Sequence, residues 1–193
     1  MLDLNKLCED KQTIAISSHI RPDGDAFGSS LGLYAYLKKK YPDKKIDVFM
    51  VDPNPLFSFL PGYDDIKTSP SEETYDLFIA LDFGDKERLG KNKVLIDNAK
   101  DVACVDHHLE YKGIAPKANS YVLPDASSTA ELVYDLVGKD NIDDDSAICI
   151  YTGIVCDTGV FQYSNTSQKT METAGYLMTF NFDHSKVVEE AFY

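Results

Sequence analysis

Acidic and histidine side chains that could bind metal ions or transfer protons occur in four separate segments of this 193-residue chain. The densest segment is Asp106-His107-His108, which directly follows the apolar run 102–105. One carboxylate beside two imidazoles offers oxygen and nitrogen ligands, together with a group that titrates near neutral pH. An Asp–His pair is also a common structural hydrogen bond, so the triplet alone leaves both interpretations open.

The other three segments carry the same residue types at positions far apart in the sequence. Each residue has a structural interpretation of its own, such as a turn beside a proline and a glycine, or the end of a helix. Their convergence on one edge of a predicted sheet favours a shared site. The residues are His19, Asp23 and Asp25 in one loop, Asp82 at the end of an apolar run, and Asp157 after a predicted helix.

Apolar runs alternate with segments of helical periodicity along the chain. Parallel strands need crossover connections, and sites in such sheets collect at the carboxyl ends of the strands. The sequence therefore predicts one α/β domain over residues 1–193, a three-layer parallel sheet with helices on both faces and the candidate residues at its carboxyl edge. Strands are predicted near 13–17, 46–51, 76–82, 102–105 and 120–123, and helices near 26–40, 89–100 and 144–156.

The predicted cluster has a chemical requirement, because carboxylates gathered without countercharge repel one another and need cations. Four carboxylates with the imidazoles of His19 and His107 could hold two divalent ions, with Asp82 between them. Mixed imidazole and carboxylate ligands suit manganese, zinc, iron or cobalt better than calcium, and we expect Mn²⁺. Paired ions can activate water and stabilise an in-line phosphoryl displacement, which predicts hydrolysis without a covalent protein intermediate.

The amino-acid composition limits the classes of binding partner and the cellular compartment that we expect for this protein. The formal net charge of −13 argues against binding long nucleic acid by bulk electrostatics, but not against a small anion that is held by metal ions. The four cysteines lack paired spacing, which indicates reduced thiols in the cytoplasm. No apolar stretch approaches the roughly 20 residues of a membrane span, so we expect a soluble protein without a membrane partner.

Five motifs span most of the chain. They are SHIRPDGDAFGS at 18–29, LDFGD at 81–85, VDHH at 105–108, SSTAE at 127–131 and GIVCDTGVF at 153–161. This set resembles the DHH phosphoesterase family, in particular its oligoribonuclease and 3′-phosphoadenosine-5′-phosphate phosphatase (nano-RNase) branch. The resemblance implies a DHH catalytic domain and a metal-dependent phosphoesterase.

The resemblance also implies a ligand set for two manganese ions. Of the residues above, Asp82 would bind both ions. The first ion would be bound by His19, Asp23 and Asp82, and the second by Asp25, Asp82, His107 and Asp157.

Further roles follow from the same resemblance. His108 would contact the scissile phosphate and act as a general acid, while Asp106 would orient an imidazole. Arg21 and the segment from Ser127 to Thr129, with the hydroxyls of Ser127 and Ser128, would lie beside the substrate, although a structural role, such as helix capping, is equally open for them.

We therefore expect a dinuclear-metal phosphohydrolase that acts on short oligoribonucleotides or on small nucleoside phosphates such as 3′-phosphoadenosine 5′-phosphate. The alternatives are a family II-like inorganic pyrophosphatase, a metal-loaded nucleotide-binding module with little turnover, and a metal that serves only the fold. A homodimer is compatible with the sequence.

One departure from the family concerns the carboxyl-terminal part of the chain. Relatives carry a second, substrate-binding domain with a glycine-rich, His-containing motif, and nothing after Asp157 resembles it. We therefore expect either a truncated piece or a single-domain variant, with impaired activity in this form.

Overall fold

The structure of the protein, a computed structural model, describes residues 2–70 and 72–193. Within this part of the chain, the strands are β1 (Thr13–Ser17), β2 (Lys45–Phe49), β3 (Tyr75–Leu81), β4 (Ala99–Asp106) and β5 (Ser120–Val122). They form one sheet in the order β2-β1-β3-β4-β5, and every neighbouring pair is parallel. The predicted α/β class with a parallel sheet is confirmed.

The helices surround this sheet. They are α1 (Leu4–Glu9), α2 (Gly24–Lys40), α3 (Val94–Asn98), α4 (Thr129–Val137), α5 (Asp144–Asp157), α6 (Gln168–Leu177) and α7 (His184–Phe192). Helices α2, α4 and α5 pack against one another and form the thick layer on one face of the sheet. No helix of the described residues is both long and apolar enough to cross a membrane.

Burial on both faces explains the continuous apolar runs of the central strands. On β3, Leu77 and Ile79 belong to the core cluster that contains the side chains of α2, α4 and α5. The alternate residues Phe78 and Ala80 belong to a smaller cluster on the opposite face. The smaller cluster includes Leu95 of α3, so helical segments cover both faces of the sheet.

The segment between β3 and β4 differs from the predicted helix at 89–100. A 3₁₀ segment occupies Lys86–Lys93, α3 is only five residues long, and β4 already begins at Ala99. Gly90 has a φ of 58° and a ψ of −131°, a conformation that interrupts the helical turn. Periodicity alone did not reveal this break.

Helices α2 and α5 cross with almost no space between their backbones. A Cβ atom on Gly28 would lie 2.5 Å from the carbonyl oxygen of Cys149 and 2.6 Å from the backbone nitrogen of Gly153. Because Asp25 lies about one turn before Gly28, this crossing brings the start of α2 next to α5.

This close crossing leads to a stability prediction. Gly28→Ala should lower the free energy of unfolding by about 1–3 kcal/mol, because the added methyl group overlaps fixed backbone atoms of α5. Urea denaturation followed by circular dichroism measures the change. Gly175→Ala is the matched control in α6: with nothing within 4 Å of its Cβ position, it should be neutral or stabilising by up to about 1 kcal/mol. Equal stability of the two variants would contradict the close crossing.

Candidate metal centre

The candidate polar residues meet at the carboxyl edge of the sheet. Three of them follow strands: His19 lies just beyond β1, Asp82 directly follows β3, and His107 directly follows β4. The others lie on the helices packed against that edge. Asp23 caps the amino terminus of α2, Asp25 lies in its first turn, and Asp157 is the last residue of α5.

One group of possible ligands surrounds His19. Its Nε2 atom lies 3.6 Å from Oδ2 of Asp23 and 3.5 Å from Oδ2 of Asp82. These three residues could hold one metal ion. The His19 side chain is almost fully buried, whereas that of Asp23 is largely exposed, so the group opens to solvent on the Asp23 side.

A second group surrounds His107. Its Nε2 atom lies 3.2 Å from Oδ2 of Asp157 and 3.7 Å from Oδ2 of Asp25, and these three residues could also hold a metal ion. Oδ1 of Asp82 lies 3.7 Å from the same nitrogen. Asp82 therefore faces His19 with one carboxylate oxygen and His107 with the other.

The hydrogen bonding of His19 shows that this position fits a cation. Nδ1 lies 2.8 Å from the carbonyl oxygen of Ile20. Because a carbonyl only accepts, Nδ1 carries the proton, and the buried Nε2 has no hydrogen-bond partner. Burial lowers the pKa of His19, but the neighbouring carboxylates of Asp23 and Asp82 outweigh it and raise the pKa to about 10. The position therefore requires positive charge, which either a proton or a metal ion can supply.

The pKa values of the carboxylates also indicate that this site requires positive charge. Burial, together with the charges of Asp82, Asp157 and Asp23, raises the pKa of Asp25 well above its usual value. Burial also raises the pKa of Asp157, to about 6, with Asp82 and Asp23 adding to the effect and His107 opposing it. Crowded carboxylates thus resist ionisation here, and bound divalent cations would remove that resistance. The donor set fits a divalent metal ion.

Helix α4 holds two of these carboxylates in place. The backbone N–H groups of Thr129 and Ala130 donate to the two oxygens of Asp25, at 2.7 and 2.8 Å. The Thr129 hydroxyl donates to Oδ1 of Asp82 at 3.2 Å. The first N–H groups of a helix have no partner within the helix and favour negative charge, so the amino terminus of α4 stabilises and orients both acids.

The serines that precede α4 do not lie on an accessible surface. Ser128 is fully buried and accepts from the backbone N–H of Glu131 at 3.1 Å, which makes it the helix cap. Ser127 is also buried, and its hydroxyl donates to the carboxylate of Glu131 at 2.5 Å. Both hydroxyls take part in hydrogen bonds that hold α4, which is the structural role left open for Ser127 and Ser128, and their contact with a substrate stays a prediction.

Asp106 lies behind the site and organises it. It is fully buried and accepts from the backbone N–H groups of Phe83, Gly84 and His108, at 2.9, 2.7 and 2.8 Å. It also lies 2.7 Å from Nδ1 of His108. Burial opposes ionisation of Asp106, but the His108 interaction and the backbone donors keep its pKa below the usual value. Asp106 therefore orients the imidazole of His108 and the turn after β3.

Two arginines border the site, and they are the only arginines in the chain. Arg21 is exposed between His19 and Asp23, with a left-handed φ of 51°. Nothing in residues 2–70 and 72–193 forms a hydrogen bond or ion pair with its guanidinium. Arg88 donates from Nη1 to Nε2 of His108 at 2.8 Å. Sequence reasoning missed Arg88, for which the rarity of arginine was the one available signal, and it considered Thr129 only as part of a segment beside the substrate.

The model of the DHH family, N-terminal domain, matches residues 13–154, from the first residue of β1 into α5. The chain belongs to the DHH family. The match includes every residue of the centre described above except Asp157, which lies three residues beyond its end.

Named relatives match most of this chain. The chain is 34% identical to the Bacillus subtilis protein named bifunctional oligoribonuclease and PAP phosphatase NrnA, over 93% of this chain and 57% of that protein. It is 31% identical to the probable protein of the same name from Streptococcus mutans, over 92% of this chain and 56% of the relative. The chain therefore spans little more than half the length of these relatives.

Solved structures show the same architecture. An exopolyphosphatase-related protein from Bacteroides fragilis superimposes with a TM-score of 0.86 at 29% identity, over 97% of this chain and 58% of that one. A putative family II inorganic pyrophosphatase from Methanococcus jannaschii superimposes with a TM-score of 0.70 at 20% identity, over 92% of this chain and 59% of that one. The second likeness concerns the fold alone.

The hydrogen bonds of Asp106 lead to a second stability prediction. Asp106→Asn should lower the free energy of unfolding by about 2–4 kcal/mol, because an amide cannot accept from all the buried donors around it. Asp101→Asn is the matched control on the same strand. Its partly exposed ion pair with Lys11 spans 2.6 Å, so the loss should stay below about 1 kcal/mol. Urea denaturation in the presence of a chelator excludes differences in metal binding, and similar losses for both variants would contradict the organising role of Asp106.

Proposed function

We propose that this chain is the catalytic domain of a dinuclear-metal phosphohydrolase that acts on short oligoribonucleotides or on small nucleoside phosphates such as 3′-phosphoadenosine 5′-phosphate. The observation that carries the proposal is the position of Asp82, whose two oxygens face His19 at 3.5 Å and His107 at 3.7 Å. One carboxylate shared by two ligand groups is suited to a pair of ions that acts on one phosphate.

The names of the relatives support the substrate class, since the similar Bacillus subtilis protein is called an oligoribonuclease and PAP phosphatase. The mixture of imidazole and carboxylate donors supports Mn²⁺ as the metal. The four cysteines are free thiols, which supports action in the reducing cytoplasm. The net charge of −13 supports a short substrate held by the centre rather than a long nucleic acid bound by bulk charge.

The proposed ligand assignment follows the two groups of the centre. Asp82 faces both groups, with Oδ2 toward His19 and Oδ1 toward His107, and the Thr129 hydroxyl at the amino terminus of α4 donates to Oδ1. When bound, the two ions would neutralise crowded carboxylates, lower the pKa of water and stabilise charge on phosphoryl oxygens. The first ion would be held by His19, Asp23 and Asp82, and the second by Asp25, Asp82, His107 and Asp157.

The side chains around the ions have separate proposed tasks. His108 is partly exposed, and its Nδ1 is oriented by Asp106, so its Nε2 is the atom that would contact the scissile phosphate and donate a proton to the leaving oxygen. Arg21 is exposed at the rim, where a free guanidinium would bind a substrate phosphate. Asp106 itself is inaccessible and acts through His108.

The proposal that Asp82 binds both ions can be tested by measuring metal binding. Calorimetry should detect two Mn²⁺ ions per chain in the wild type, and Asp82→Asn should weaken both, because this near-isosteric change removes the charge common to the two groups. Manganese-dependent hydrolysis of a 5′-phosphorylated dinucleotide and of 3′,5′-adenosine bisphosphate should fall together with binding, and circular dichroism checks the fold. One ion bound at wild-type affinity, or unchanged activity, would refute a shared Asp82. Faster release of phosphate from pyrophosphate than from either nucleotide would contradict the proposed substrate class.

The role of His108 predicts a different pattern. His108→Ala should retain both ions but lose about 100- to 10,000-fold in turnover, the usual range for a general acid. His184→Ala is the control, because His184 is an exposed residue in the first turn of α7, capped by Asp183. Loss of a metal ion in His108→Ala would instead make His108 a ligand.

A further inference from the structure

The partner of His108 on the side opposite Asp106 is Arg88. Nη1 of Arg88 lies 2.8 Å from Nε2 of His108, while Nδ1 of His108 lies 2.7 Å from Oδ1 of Asp106. A guanidinium only donates hydrogen bonds, so Nε2 must accept, and the ring proton must lie on Nδ1, which donates to Asp106. The two neighbours therefore select one neutral tautomer of the imidazole.

This arrangement occupies the atom that the proposed reaction needs. Nε2 cannot accept from Arg88 and at the same time donate a hydrogen bond to a substrate oxygen. The Arg88 interaction and a productive contact between His108 and substrate are therefore mutually exclusive, and the guanidinium must move before His108 can act.

The backbone of Arg88 is also hydrogen-bonded to the loop that carries His19. Its carbonyl oxygen accepts from the backbone N–H of Ile20 at 2.6 Å. The carbonyl oxygen of Ile20 in turn accepts from Nδ1 of His19 at 2.8 Å. One residue thus connects the loop that carries His19 with the side chain of His108, and substitutions of the Arg88 side chain leave this backbone connection intact.

The Arg88 side chain has further N–H donors that could bind an anion. A guanidinium has five N–H donors, and the bond to Nε2 is the one hydrogen bond that it makes within the described residues. No carboxylate in that part of the chain forms an ion pair with it, and the side chain is partly exposed. A planar, permanently charged fork with free donors is well suited to phosphate.

We propose that Arg88 couples substrate binding to His108: in the free protein its guanidinium caps Nε2 of His108, and a substrate phosphate draws the guanidinium away, so that Nε2 can take up a proton from solvent and donate it to the leaving oxygen of the substrate. This inference rests on the proposed function for the identity of the anion. The tautomer of the free protein follows from the hydrogen bonds alone.

The first test observes His108 directly by ¹⁵N NMR of the protein loaded with diamagnetic Mg²⁺. The chain has only four histidines, so single His→Gln variants assign the imidazole signals. The wild type should show the Nδ1–H tautomer of His108, and inorganic phosphate should shift the Nε2 resonance. In Arg88→Ala the resonance should already be displaced and should no longer respond to phosphate.

Two further variants separate charge from hydrogen bonding. Arg88→Gln retains an N–H donor, so it should keep the resting tautomer but lose the phosphate response. Lys86→Ala removes one positive charge from the same 3₁₀ segment at an exposed position and should behave like the wild type. A wild-type Nε2 resonance that does not respond to phosphate, or a normal response in Arg88→Ala, overturns the proposal.

The kinetic test uses 3′,5′-adenosine bisphosphate with Mn²⁺. Arg88→Ala should raise KM by about 10- to 100-fold, the effect of losing one charged hydrogen bond, with less than tenfold loss of kcat. An unchanged KM overturns the proposal. If the wild type hydrolyses no nucleotide but the NMR response to phosphate is present, the proposed function fails and the Arg88 inference stands. If the wild type hydrolyses the nucleotide but phosphate does not shift the Nε2 resonance, the proposed function stands and the Arg88 inference fails.

Discussion

The centre depends on one electrostatic constraint: four carboxylates converge on two imidazoles in a largely buried space. The protein already supplies part of the missing positive charge through backbone dipoles, because the amino terminus of α4 donates to both oxygens of Asp25. The remainder requires mobile cations. The raised pKa of Asp157 and the unpartnered Nε2 of His19 both indicate that positive charge is still missing.

This constraint explains why the helices pack as they do. Asp25 and Asp157 approach His107 from two different helices, and the glycine crossing between α2 and α5 permits that approach. The strand ends supply the remaining groups at the sheet edge. Residues as distant in sequence as Asp25 and Thr129 are hydrogen-bonded to each other, so the site and the packing of this helical layer form one structure.

The sequence predicted the sheet and this cluster because both depend on local patterns. Apolar runs that end in polar residues indicate strands and the edge at which they stop, as at Asp82. Contacts that depend on three-dimensional partners were not predicted in this way. The break at Gly90 depends on a backbone angle, the burial of Ser127 depends on Glu131, and the bond from Arg88 to His108 links separate loops.

The hydrogen bonds from α4 to Asp25 also have a consequence for the ions that the group around His107 could bind. Each oxygen of Asp25 already accepts a backbone N–H at 2.7 or 2.8 Å, so the carboxylate has reduced capacity to chelate an ion through both oxygens. Calcium commonly relies on bidentate carboxylates and a high coordination number, whereas smaller divalent ions accept one oxygen from each acid. The helix amino terminus would thereby favour ions that take a single oxygen from Asp25, and this preference would come from backbone N–H groups rather than from a ligand side chain.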